Sequence, residues 1–269
     1  KKANVAVDGK LPSKFTYLVK NYEEQDFEPA YIVSVDVADV KLLGSNREAY
    51  EGRIDLCIDH HMTNKIEAPL KCVDGNAAAN CEILYKLFRL MQVDITRGVA
   101  NNLYTGISTD TGCFRYTNTT AETLRIAADI IDIGCDTAYI NKVMFETKTR
   151  KKLALEREVY NTMEYCCNDR CAIIAVTLAT QKKVGVGDGE LEGLASIPRQ
   201  VEGVKIGITL REKAENDFKI SVRSDGDVNA AEFCARFGGG GHAAAAGCSV
   251  KGSLEEVKAQ LKAAVSEIL

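Results

Sequence analysis

The chain has no apolar run approaching the roughly 18 residues that a membrane-spanning helix needs, no CxxC pair among its ten cysteines, and only three histidines in 269 residues. The first absence leaves no candidate membrane-spanning helix in this sequence. The second leaves the thiols without a paired-cysteine motif, and Cys57, Cys81 and Cys234 sit in apolar runs, where they read as small core hydrophobes. Positive charge is also in short supply. With a formal net charge of −4, no global field exists to hold long or duplex nucleic acid, so a nucleic-acid substrate must be short and captured by a local basic site. There are no internal repeats, no low-complexity tracts and no secretory leader at the start. Unpaired thiols without a leader predict a reducing, cytoplasmic compartment.

What is present is an ordinary globular balance, 46% hydrophobic and 27% charged, long enough for two domains with their own cores. In the first half β-rich runs at 3–7, 31–36 and 54–58 alternate with helical patterns at 77–91, 97–107 and 121–133. Such alternation predicts a parallel sheet with helices on its faces. The last of these helices should open on a capping box, Thr119-x-x-Glu122, and stop at Gly134. Residues 136–166 read as a charge-rich helical connector. Strands are then expected at 171–178, 204–210 and 218–222, a helix at 228–237 capped by Asp227, and a final helix opened by the box Ser253-x-x-Glu256.

All three histidines stand where chemistry is plausible. His60 and His61 follow Asp59 directly beyond the strand expected at 54–58, and Asp36 ends the strand expected at 31–36. In an open parallel sheet, ligands bind beyond the carboxyl ends of the strands. A carboxylate and an imidazole delivered there form a mixed N/O site suited to manganese, zinc or iron. Asp110 closes the helix expected at 97–107. It is either a turn residue or a further ligand, and a ligand role would offset a carboxylate at the unfavourable end of a helix dipole. Asp36, His60 and Asp110 are therefore expected to converge on one cation. In the second half, Gly238-Gly239-Gly240-Gly241-His242 has the composition of an anion-binding nest with an added donor. Arg223, at the end of the strand expected at 218–222, could clasp a phosphate bidentately.

At these residues the chain resembles the DHH phosphoesterase superfamily, in particular its bacterial nanoRNase and pAp phosphatase branch. The matching blocks run in order: Val35-Asp36-Val37-Ala38-Asp39, Asp59-His60-His61, Gly106 to Gly112, Ser221-Val222-Arg223-Ser224, and Gly238 to His242. The resemblance implies an α/β fold in which a parallel-sheet DHH domain (1–148) is joined by a helical linker (149–168) to a smaller α/β DHH-associated domain (169–269). It implies that Asp36 bridges two Mn2+ ions and that His60 and Asp110 bind one of them. His61, beside Asp59, would act on the scissile phosphate or leaving group, and Arg223, Gly239, Gly240, Gly241 and His242 would hold the substrate's other phosphate. Short single-stranded RNA or DNA oligonucleotides and 3'-phosphoadenosine 5'-phosphate are the implied substrates, with no duplex and no membrane partner; a homodimer is allowed. A cyclic di-AMP phosphodiesterase and a non-catalytic nucleotide-binding regulator are the alternatives. The family's opening block, a strand and loop carrying a histidine and two aspartates, has no counterpart before Ala3. The expectation is that the sequence is incomplete at its N-terminus and that 3–7 is the family's second strand.

Overall fold

The computed structural model describes residues 1–269, the side chain of Asp188 apart. The chain divides into two compact units, Lys1–Thr147 and Lys148–Leu269. No helix among the described residues is long and apolar enough to cross a membrane.

The first unit holds three parallel strands in the order β1 (Val33–Val35), β2 (Leu56–Asp59), β3 (Leu70–Val73). Their register pairs Val35 with Ile58, and Ile58 with Cys72. A one-turn helix α1 (Arg47–Tyr50) lies between β1 and β2, and α2 (Asn80–Leu90), α3 (Arg97–Asp110), α4 (Ala121–Asp132) and α5 (Thr137–Asn141) follow β3. Apolar residues at helical spacing on α3 and α4, among them Leu103, Ile107, Ile126 and Ile130, bury one face of each helix in a shared cluster with Ile140. Every strand ends toward the same edge, and Asp36, Asp59 and Asp74 are the polar residues that arrive there.

The second unit begins with α6 (Arg150–Tyr160) and builds a six-stranded sheet. Its strands are β4 (Glu164–Cys166), β5 (Cys171–Val176), β6 (Ile206–Ala214), β7 (Asp217–Ser224), β8 (Gly240–His242) and β9 (Ala245–Lys251), in the order 4-5-6-7-9-8. Helices α7 (Leu178–Val184), α8 (Asp188–Leu191), α9 (Ala230–Ala235) and α10 (Leu254–Ser266) complete it. Strand β5 is buried along its whole length and sorts its side chains by the two-residue period. Cys171, Ile173 and Ala175 join the core under α9 and α10, whereas Ile174 and Val176 pack against Leu155 and Val159 of α6.

Several sequence expectations change. Residues 3–7 are not a strand: the alternating Val5 and Val7 stay exposed, and the segment is held by Asn4 and Tyr22 instead. Alternation makes a strand only where a neighbour accepts its hydrogen bonds. The capping box of α4 is Thr120 with Thr123, because Glu122 turns outward to Lys86 at 2.9 Å. Asn229, not Asp227, caps α9, since Asp227 is drawn to Lys205 at 2.6 Å. The stretch expected as a solvated connector contains a packed helix and the strand β4. The expected strand at 171–178 stops at Val176, where Thr177 caps α7. The capping box at Ser253 is as expected.

Phe233 fixes α9 on this sheet and is 1% exposed. Phe233→Ala should lower unfolding free energy by about 3–5 kcal/mol, read from urea midpoints, while Val5→Ala should stay within about 0.5 kcal/mol.

Candidate active site

Asp36 follows β1 with φ of 60°, a left-handed conformation that a non-glycine residue adopts at a cost of about 1–2 kcal/mol. Its N–H still bonds Ile58 O at 2.9 Å. The backbone therefore leaves the sheet abruptly and presents the carboxylate at the strand edge.

His60, one residue beyond β2, has Nδ1 3.1 Å from Ala77 O. A carbonyl can only accept, so Nδ1 carries a proton, and in the neutral ring the lone pair is the one on Nε2. That nitrogen faces Asp36 Oδ1 at 3.5 Å and Asp110 Oδ2 at 3.8 Å. Both are too long for good hydrogen bonds. Bonds of roughly 2.0–2.2 Å place two donors sharing one cation roughly 3–3.6 Å apart; the Asp36 distance falls in that range and the Asp110 distance lies just beyond it. The carbonyl behind His60 is the outer-shell partner that metal-bound imidazoles use. Asp110 is the last residue of α3, with its own carbonyl accepting from Asn118 Nδ2. Thus Asp36 and Asp110 each place a carboxylate oxygen beside His60 Nε2.

Burial, and then the charge of Asp36, push the Asp110 carboxyl up to about 6, against the opposing pull of His60 and His61. A cation between the carboxylates would remove that repulsion. The neighbouring Cys81 thiol is pushed up to about 12 by burial and by both aspartates. It stays protonated at neutral pH, so the donors on offer are oxygen and imidazole nitrogen, which fit a borderline or hard divalent ion.

His61 has a different environment. Its Nδ1 lies 2.8 Å from Asp59 Oδ1, while the ring is 43% exposed. Donor atoms of Asp36, His60 and His61 lie within 4.8 Å of one another and could themselves hold an ion. His61 Nδ1 is also 3.7 Å from Asp36 Oδ1, and Asp110 lies beside this group, its Oδ2 3.8 Å from His60 Nε2. Asp59 is wholly buried. Burial pushes its carboxyl up, but bonds from His61, Asn64 and the N–H groups of His60 and His61 outweigh this and hold it below the ordinary carboxylate range. The Asp59 bond in turn raises His61 against its partial burial, with further help from Asp36 and Asp110. His61 is therefore a fixed, exposed imidazole able to present Nε2 to a substrate and to carry a proton.

In the second unit, register places Arg223 of β7 opposite Ala245 of β9, and Ala245 opposite His242 of β8. Directly opposed residues share a face. Arg223 and His242 thus flank a methyl group on the side away from the core. The next row is Ser221, Gly247 and Gly240, equally low in relief. The glycines are not the open nest expected. Gly238 and Gly239 spend their N–H groups on Ala235 O and Cys234 O, and Gly240 and Gly241 lie in an edge strand. Backbone donors find carbonyl partners wherever the chain offers them. Close approach is what demands glycine: a Cβ at Gly239 would lie 2.2 Å from Gly247 O, and one at Gly241 2.6 Å from Ala245 O.

Sequence reasoning missed Asn64, the Ala77 carbonyl and β3. Asn64 stands in no periodic pattern, and a backbone carbonyl carries no sequence signal.

An α/β chain with a mixed N/O cation site beyond parallel strands and a separate basic sheet face is the class defined so far. Residues 3–107 match the family model of the DHH family, N-terminal domain, and residues 171–269 match the DHHA1 domain. The chain belongs to the DHH family, and the family and fold class expected from its motif blocks are those found. It is 34% identical over 214 residues to the bifunctional oligoribonuclease and PAP phosphatase NrnA of Thermus thermophilus, covering 79% of this chain. The chain spans 64% of that relative's length. A probable bifunctional oligoribonuclease and PAP phosphatase NrnA of Streptococcus mutans is 28% identical over 226 residues, covering 84% of this chain and 72% of the relative. Among solved structures, an exopolyphosphatase-related protein from Bacteroides fragilis has the same fold, with a TM-score of 0.85 at 24% identity over 97% of this chain and 82% of that one.

Two consequences are measurable. Because the folded state raises the Asp110 pKa, the metal-free protein loses stability as pH rises from about 4, the ordinary carboxylate value, through about 6. In chelator at pH 7.5, Asp110→Asn should melt higher by a few degrees, roughly 2–4 °C per kcal/mol for a chain this size. Near pH 4 the two should coincide, and calorimetric scans decide. Gly239→Ala should destabilise the second unit, because the atoms met belong to the backbone of β9; loss of amide-exchange protection in 245–251 is the readout.

Proposed function

We propose that this chain is part or all of a divalent-metal-dependent phosphoesterase, with Mn2+ as the working ion, acting on short oligoribonucleotides and on 3'-phosphoadenosine 5'-phosphate. The carrying observation is that His60 Nε2 lies 3.5 Å from Asp36 Oδ1 and 3.8 Å from Asp110 Oδ2, with the Asp36 charge helping to raise the Asp110 carboxyl. The relatives' names and the acidic balance of the chain support the substrate class, with Arg223 and His242 on one sheet face as local basic groups. Ten free cysteines suit a cytoplasmic setting.

In this reading Asp36, His60 and Asp110 hold the cation. Once bound, the ion would supply Lewis-acid polarisation of the phosphoryl group and activation of water. His61, kept in one tautomer by Asp59, donates from Nε2 to the leaving oxygen as the ester bond breaks. The Asp59 bond raises the His61 pKa above the ordinary imidazole value, which favours the protonated ring. Arg223 and His242 hold a second phosphate and have no part in binding the ion. Gly239 to Gly241 act indirectly, by letting β8 lie close enough to β9 for His242 to share the Arg223 face.

His60→Ala should abolish Mn2+-dependent hydrolysis and Mn2+ binding while leaving the far-ultraviolet spectrum unchanged, since His60 lies at the sheet edge. Full activity would remove the metal role, and unfolding would make the residue structural. Arg223→Lys keeps the charge but loses the planar fork. A charge-assisted bond is worth about 1.5–3 kcal/mol, so kcat/KM should fall roughly ten- to hundredfold, mainly through KM. A substrate lacking the second phosphate should be hydrolysed equally well by both proteins. An equal loss on both substrates would refute the clasp.

A further inference from the structure

Asn64 lies in the loop after β2 and touches neither cation-facing oxygen nor open solvent alone. Its Nδ2 donates to Asp59 Oδ2 at 2.5 Å and to Val37 O at 3.1 Å, while its Oδ1 accepts from Ile66 N at 3.0 Å. Its own N–H bonds His61 O at 3.1 Å. The side chain therefore joins three things: the buried carboxylate behind His61, the turn that carries Asp36, and the loop that carries both histidines.

The two oxygens of Asp59 have separate tasks. Oδ1 takes His61 Nδ1 and His60 N, both at 2.8 Å, and Oδ2 takes Asn64. A carboxylate held by one oxygen alone can rotate about its bond to Cβ. Held by both, it has one plane, and that plane fixes the imidazole opposite. Only an amide supplies donors for a carboxylate and a carbonyl together with an acceptor for a backbone N–H. Aspartate would set two carboxylates against each other, serine would reach one partner, and glutamine would overshoot by a methylene.

We propose that Asn64 is a positioning residue that orients His61 through Asp59; this rests on the phosphoesterase reading for its kinetic arm only. Asn64→Ala should lower kcat roughly 10- to 100-fold, the range for outer-shell partners. KM and the affinity for Mn2+ alone, by titration calorimetry, should be nearly unchanged. In a His61→Ala background the same replacement should cost less than about twofold, because residues acting as one unit are not additive. A fold-supporting role would give the same factor in both backgrounds, or an Mn2+ affinity falling with kcat, and either result overturns the proposal. Nitrogen-15 spectra of the His61 ring give an arm independent of turnover. The Nδ1–H signal expected from the Asp59 bond should be present in the parent and lost or broadened in Asn64→Ala, and its persistence overturns the proposal. If the parent hydrolyses none of these esters, the functional reading fails while the ring signal still decides the role of Asn64. Should Asn64→Ala not fold, Asn64→Gln, which keeps the amide but displaces it, carries the same comparisons with the same expected directions.

Discussion

A carboxylate with no exposed surface sits at the end of β2, and much of the first unit is arranged around keeping it ionised. Burying a charge without partners is prohibitively costly, and Asp59 is relieved of that cost by two side chains and backbone N–H groups. Each partner is thereby immobilised. His61 acquires a fixed tautomer, the backbone of His60 is pinned, and the loop through Asn64 is fastened back to the residues following Asp36. The neighbouring His60 is held by the Ala77 carbonyl behind it and faces Asp36 and Asp110 in front.

The ion site itself works against the stability of the empty fold. Asp36 occupies a strained conformation, and Asp110 stands at a helix C-terminus, half-buried, facing a second carboxylate. None of these choices would favour folding alone. In the proposed reading a divalent ion would offset these costs, exchanging carboxylate repulsion for attraction to a common charge and adding its own binding free energy. Unfavourable placements that share one explanation are stronger evidence for a ligand than any single motif.

The second unit solves a different problem with a different device. In the proposed reading this face would hold a phosphate, which offers charge but little shape, so a flat surface with a few spaced donors would suffice. Glycine and alanine in the rows between Arg223 and His242 keep that surface low. The glycines also let an edge strand approach its neighbour closely, which aligns His242 with Arg223 across three strands. The glycine run therefore acts through backbone proximity, and its N–H groups are largely spent within the fold.

Residue order alone determined the parallel strands that end at Asp36 and Asp59, the helices that follow them, and the family blocks. These are local or periodic signals: apolar runs ending in polar residues, a capping box at Ser253, two histidines after an aspartate. Tertiary structure decided whatever depended on competition for partners. Residues 3–7 alternate like a strand but have no neighbour to bond. Thr120 and Asn229 became caps because Glu122 and Asp227 found lysines elsewhere, and the glycine run became a strand because β9 was there to receive it. Asn64 gained its place from three bonds to residues 2, 5 and 27 positions away. A hydrogen bond is chosen among all partners the folded chain brings within reach, and only the fold makes that choice.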